Sequence, residues 1–129
     1  MFASFEKDYI MRIVKEMVRM LLKLLFDIDT TRSMEDVIKE AEEKQTLDRL
    51  IKMIDEGFVN EAENELYEIT LNGDRIHLKT ALIFYYHLAE KDEDFLLRHG
   101  YTQEEVKEGV EDLIDRYGVK DIADLFMET

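Results

Sequence analysis

No proline occurs anywhere in this chain, and that absence restricts its fold more than any other feature. Proline is the strongest breaker of helix interiors, costing roughly 3 kcal/mol there, and glycine follows at about 1. Only five glycines are present among 129 residues. The β-branched residues are scattered and form no alternating runs, so the period-two signature of strands is missing. The reading is an all-α protein. The length suits one domain, residues 1–129, with a core of its own.

Capping residues divide the chain. A first helix runs from about Phe5 to Phe26 and ends in a polar break from Asp27 to Arg32. Ser33, with Asp36 three residues on, suits an N-cap for a helix carrying Met34, Val37, Ile38 and Ala41. The apolar phase slips across Lys44, Gln45 and Thr46. Either Thr46 caps a new helix holding Leu47, Leu50, Ile51 and Ile54, or residues 33–56 form one kinked helix. Gly57 ends it in a left-handed conformation. Asn60 and Glu63 have the form of a capping box opening the next helix, which stops at Asn72 and Gly73. Asp74 caps a helix whose stripe is Leu78, Ala81, Leu82, Tyr85, Leu88 and Ala89, with Phe84 alongside. Asp92 caps a short turn containing Phe95, Leu96 and Leu97, closed by Gly100. Thr102 and Glu105 form a capping box, with Tyr101 and Val106 as its hydrophobic staple. That helix carries Val106, Val110, Leu113, Ile114 and Tyr117 and ends at Gly118. A last short helix holds Ile122, Ala123, Leu125 and Phe126. The expectation is about six to seven helices in antiparallel hairpins, packed around a long apolar N-terminal helix.

That first helix is apolar over most of its circumference. Arg12, Lys15, Glu16, Arg19 and Lys23 share one face about 100° wide. A helix so apolar is normally surrounded by protein. It is either the hub of the domain or half of a subunit interface, with Ile13, Met17, Met20, Leu21 and Leu24 as the interface residues. The basic face is expected to pair with acidic faces of later helices or of a second subunit, or to bind an anion.

Formal net charge is −14 and is unevenly spread. Residues 1–29 hold five basic and five acidic groups; the remaining 12 basic and 26 acidic groups lie in residues 30–129. Such a surface repels phosphate backbones and anionic membranes, so neither nucleic acid nor a membrane is expected as partner. The N-terminal residues lack a basic segment followed by an apolar core, and the expected location is the cytoplasm.

The residues offer little chemistry. There is no cysteine, and the only serines, Ser4 and Ser33, lie outside any nucleophile elbow. His77, His87 and His99 lack metal-ligand spacing on a helix. No glycine loop is built to cradle phosphate. Carboxylates are too abundant to single out, and acidic helical stripes are ordinarily solvated. The chain is therefore read as no enzyme, with no catalytic, cofactor or metal residues. Tyr86 and His87 lie off the apolar stripe of their helix and are candidates for lining a ligand groove.

Two segments carry a resemblance. Asp8-Tyr9-Ile10-Met11-Arg12 opens the long apolar helix, and Ile54-Asp55-Glu56-Gly57 leads into Asn60-Glu61-Ala62-Glu63-Asn64-Glu65-Leu66-Tyr67-Glu68. The pair is similar to an uncharacterised family of small helical proteins from Firmicutes-type bacteria, a domain of unknown function. The family brings no activity to carry over. Gly57, Ala62, Leu66 and Ile69 also resemble the spacing of a tetratricopeptide hairpin, without a second copy or the terminal proline of that repeat. The resulting expectation is a non-catalytic interaction protein that self-associates as a dimer through its first helix or binds another protein. The alternative is a regulatory helical domain binding a small molecule or anion.

Overall fold

A computed structural model describes residues 2–122 and 124, with side chains from Tyr9 to Ile122 and of Asp124. Among these residues there are seven α-helices and no strand: α1 (Phe2–Phe26), α2 (Met34–Lys39), α3 (Lys44–Asp55), α4 (Val59–Ile69), α5 (Arg75–Ala89), α6 (Glu93–Arg98) and α7 (Gln103–Tyr117). A single 3₁₀ turn, Thr70–Asn72, joins α4 to α5. Residues 120–122 are helical again; Ala123, Leu125 and Phe126, expected in a last helix, lie outside the described residues.

The most enclosed element is α5. Leu78, Ala81, Leu82, Ile83, Phe84, Tyr85, Leu88 and Ala89 are all buried. It packs against α1, α3 and α7, and α1 in turn lies against α7. The helix at the centre is thus α5, while α1 is one of its flanking partners. α1 contributes Met11, Val14, Met17, Val18, Leu21 and Leu22 to the core and leaves the other side of its circumference outside.

Side-chain ties fix the directions. Arg75 on α5 donates to the Leu25 carbonyl at the end of α1 (2.5 Å), and Tyr117 at the end of α7 donates to the Asp74 carbonyl (3.1 Å). Both helices therefore run antiparallel to α5. α3 runs parallel to α5 and is clasped at both ends. Glu43, at its start, accepts from Thr80 and pairs with His77 (2.8 Å), and Asp55, at its end, pairs with His87 (2.7 Å) and Lys91 (2.6 Å). α4 is the return limb of the α3–α4 hairpin, tied on its surface by Arg49 and Glu65.

Residues 33–56 form two helices, and their junction corrects one expectation. α3 begins at Lys44, so Thr46 sits within the first turn and does not cap it. The residue at the cap position, Glu43, makes no capping bond because its carboxylate is taken by α5. A similar override occurs at α4. Its N-cap position is Phe58, not Asn60. Gly57, at φ +95°, closes α3 with a pair of bonds, Gly57 N–H to Ile54 O and Phe58 N–H to Met53 O, and the chain re-enters a helix at once. Asn60 then donates to the Gly100 carbonyl (3.2 Å). Where no distant group competes, local capping holds: Ser33, Asp74 and Asp92 each accept a backbone N–H of the first turn. Thr102 and Glu105 make the full reciprocal capping box, with Tyr101 and Val106 buried beside it.

Candidate functional site

The basic face of α1 meets the outer side of α5 at Tyr86. A groove of about 410 Å³ opens there, lined by Arg12, Lys15, Glu16, Arg19 and Met20 of α1, Thr30 of the following turn, and Tyr86. Arg19 is the most tightly held of these side chains. Its guanidinium lies 4.8 Å from the centroid of the Tyr86 ring, donates to the Tyr86 hydroxyl (3.2 Å) and to the Arg32 carbonyl (2.5 Å). Stacking and two hydrogen bonds hold Arg19 in one orientation, with a delocalised charge still unneutralised. Arg12 lies over the Tyr9 ring at 5.6 Å. On the other side of Arg12 and Lys15 a second hollow runs past Ala89, Glu90, Lys91 and Asp92 to the C-terminal end of α5.

Among the described residues no carboxylate lies within ion-pair distance of Arg12, Lys15 or Arg19, and Lys23 pairs only with Asp27 next to its own helix (3.3 Å). Among the described residues, this face makes none of the expected ion pairs with the acidic faces of later helices. Elsewhere several cations meet carboxylates of other segments: Lys79 of α5 with Glu42 in the turn before α3, Lys91 after α5 with Asp55 of α3, and Arg32 with Glu40 at the two ends of α2. Lys39, Lys52, Arg75 and Lys120 also lack a carboxylate partner among the described residues; what sets the α1 face apart is that three such cations line one groove.

The residues proposed as an α1 interface divide in two. Met17 and Leu21 are buried within the chain's own core. Ile13 and Met20 are half-buried, and Leu24 is 55% exposed. Of the two groove candidates, Tyr86 joins the basic face. His87 does not; it turns to α3, where burial tends to raise the carboxyl of Asp55 but hydrogen bonds from Lys91 and His87 outweigh it and hold it below its ordinary value.

A second polar constellation was not anticipated. Glu63 of α4 accepts from both Tyr85 of α5 (2.7 Å) and Tyr101 before α7 (2.8 Å) through the same carboxylate oxygen. Burial, then the Glu63 charge, pushes both phenols far above their ordinary value. The Tyr85 ring lies directly on Gly109; a Cβ there would sit 2.4 Å from a ring carbon. The hollow beside this junction, about 280 Å³, is bordered by Glu105, Glu108, Asp112 and Arg116. Arg116 is fully engaged, with Asp112 (2.8 Å), with Thr70 (2.9 Å) and over the Tyr67 ring. A glycine in mid-helix was the one sequence sign of this close approach. The arrangement ties α4, α5 and α7 together. Among the described residues no group of three His, Cys, Asp or Glu side chains is placed to hold a metal ion, and no helix is long and apolar enough to cross a membrane.

Comparison with curated proteins and with solved structures finds no match. The model of a family described as a family of unknown function, DUF6483, matches residues 4–118, and the chain belongs to that family.

Proposed function

We propose that this protein is a non-catalytic helical binding domain whose working surface is the groove between α1 and Tyr86, and that it receives an anionic group there. One observation carries the reading. In a chain of net charge −14, Arg12 and Lys15 border a groove with no carboxylate partner among the described residues. Unmatched cations beside an aromatic floor are a recognition surface for carboxylate or phosphate, and Arg19 is already oriented by its contacts. The test is thermal stabilisation by inorganic phosphate and by acetate at constant ionic strength. The folded protein gains stability in proportion to the logarithm of ligand concentration above the dissociation constant. The gain is expected in the parent chain and lost in Arg12→Ala/Lys15→Ala. Equal responses in both chains would sink the reading.

Self-association through α1 is the second reading. Its support is the apolar strip of Tyr9, Ile13, Met20 and Leu24, two of which are more than half exposed. Sedimentation of the parent chain and of Leu24→Asp tests it: a parent that sediments as a monomer at tens of micromolar removes it. The α3–α4 hairpin, with Gly57 at the bend and Ala62 and Leu66 buried, supports a kinship of packing with tetratricopeptide hairpins.

A further inference from the structure

The outward half of α1 carries two stripes side by side, and we infer that its occupant is an acidic amphipathic helix of another protein. The inference rests on the anion-binding reading above and names the partner. Helical geometry places Tyr9, Met20 and Leu24 within an arc of about 60°, with Ile13, which also packs on the core, between them, and Arg12, Lys15, Arg19 and Lys23 within the adjoining arc of about 80°. The apolar stripe spans about 22 Å, the rise of four turns, and Arg12 to Arg19 about 10 Å. A small anion reaches one or two of these cations and none of the apolar stripe. A helix of about four turns laid along α1 covers both, with apolar residues at helical spacing on Met20 and Leu24 and carboxylates along one edge against Arg12, Lys15 and Arg19.

Charge decides between occupants. A nucleic acid or an anionic membrane presents its charge over an extended area and would meet the acidic surface around this face. A second copy docked with its α1 antiparallel meets a different obstacle. A two-fold axis across antiparallel α1 helices sets the two cationic stripes on the same side, like charge beside like charge. A helix acidic along one edge is complementary to the cationic stripe, and Glu16, on the border between the stripes, fixes which edge it presents.

The experiment uses a labelled 16-residue designed helix with leucines at helical spacing and glutamates along one adjoining edge, titrated with the full chain by fluorescence anisotropy. Two control peptides have the same composition in scrambled order, or glutamine in place of glutamate. The expected result is saturable binding of the designed helix, weakened at least tenfold in Arg12→Glu/Lys15→Glu and at least threefold in Leu24→Ser. Both controls bind at least tenfold more weakly. These side chains are outside the core, and unchanged circular dichroism melts verify that the variants fold. Binding unaffected by Arg12→Glu/Lys15→Glu overturns the inference, as does tighter binding of the glutamine peptide. A parent chain that sediments as an α1-dependent dimer and ignores the peptide overturns it in favour of a second copy. If phosphate stabilises the chain through Arg12 and Lys15 but the peptide does not bind, the helical occupant is wrong and anion binding stands. If neither probe responds to those residues, both fall.

Discussion

Alanine in place of glycine inside a helix ordinarily stabilises a protein by about 1 kcal/mol, since glycine gives up more backbone freedom on folding. At Gly109 the sign should reverse. A Cβ built there stands 2.4, 2.6 and 2.7 Å from the Cε1, Cζ and Oη atoms of Tyr85. Tyr85 is 5% exposed, its ring packs edge-on to Phe84, and its hydroxyl is tied to Glu63. The ring can yield only by displacing buried neighbours or by giving up that charged hydrogen bond. Overpacking of this kind costs about 1–3 kcal/mol, and a bond to a charged group is worth roughly 1.5–3. Set against the propensity gain of about 1 kcal/mol, Gly109→Ala should be destabilising by about 2 kcal/mol, near 7 °C in the thermal midpoint of a chain this size. Urea denaturation with a thermal melt measures it. The decisive comparison is the Tyr85→Leu background, where the ring is gone and Gly109→Ala should recover its ordinary stabilising sign. If Gly109→Ala stabilises the parent chain, or shifts stability equally in both backgrounds, the close packing of Tyr85 on Gly109 is not what the glycine is for.

Other expectations concern the charged junctions. Glu63→Leu leaves the Tyr85 hydroxyl without its acceptor and Tyr101 with only the distant Glu105 carbonyl (3.4 Å), and should cost about 2–4 kcal/mol by urea denaturation, since an unsatisfied buried polar group costs about 1–3. Both phenols ionise less readily in the folded chain than at their ordinary value of 10.0. The stability this contributes is complete below pH 10.0 and is lost as pH rises above it. Alkaline titration followed at 295 nm should therefore show these two phenolates appearing only together with unfolding. Asp55 has the opposite sign. Its folded value lies below the ordinary 3.8, so its contribution is present above pH 3.8 and is lost as pH falls below it. The stability difference between the parent chain and Asp55→Asn should be constant near neutrality and shrink in acid.

The helices were legible wherever a capping side chain had no better partner. Ser33, Asp74, Asp92 and Thr102 do what their local sequence implies. Asn60 and Glu63, which look like a capping box, fail because each is recruited across the fold, by the Gly100 carbonyl and by two tyrosines. Local spacing carries no record of such distant acceptors and donors. The central role of α5 was visible in a feature easy to pass over. From Leu78 to Ala89 its only Lys, Arg, Asp or Glu is Lys79, whereas α1 is apolar but bears charges at every turn of one face. The candidate groove was half legible. Tyr86 and the basic stripe do converge, while His87, one residue on and about 100° around the helix, faces α3 instead.

The position of α5 between helices from both ends of the sequence has a consequence for how the chain assembles. α1 is made first but cannot bury its apolar side until α5 exists; Leu25 and Arg75, which meet in the fold, are 50 residues apart. α5 then waits for α7, and Glu63 acquires its second tyrosine only when residues 101 onward have been made. A nascent chain ending near Arg98 thus exposes the most apolar helix of the protein along the side that α7 will cover. A partly made chain of this kind presents an apolar surface of the sort that promotes aggregation and chaperone binding.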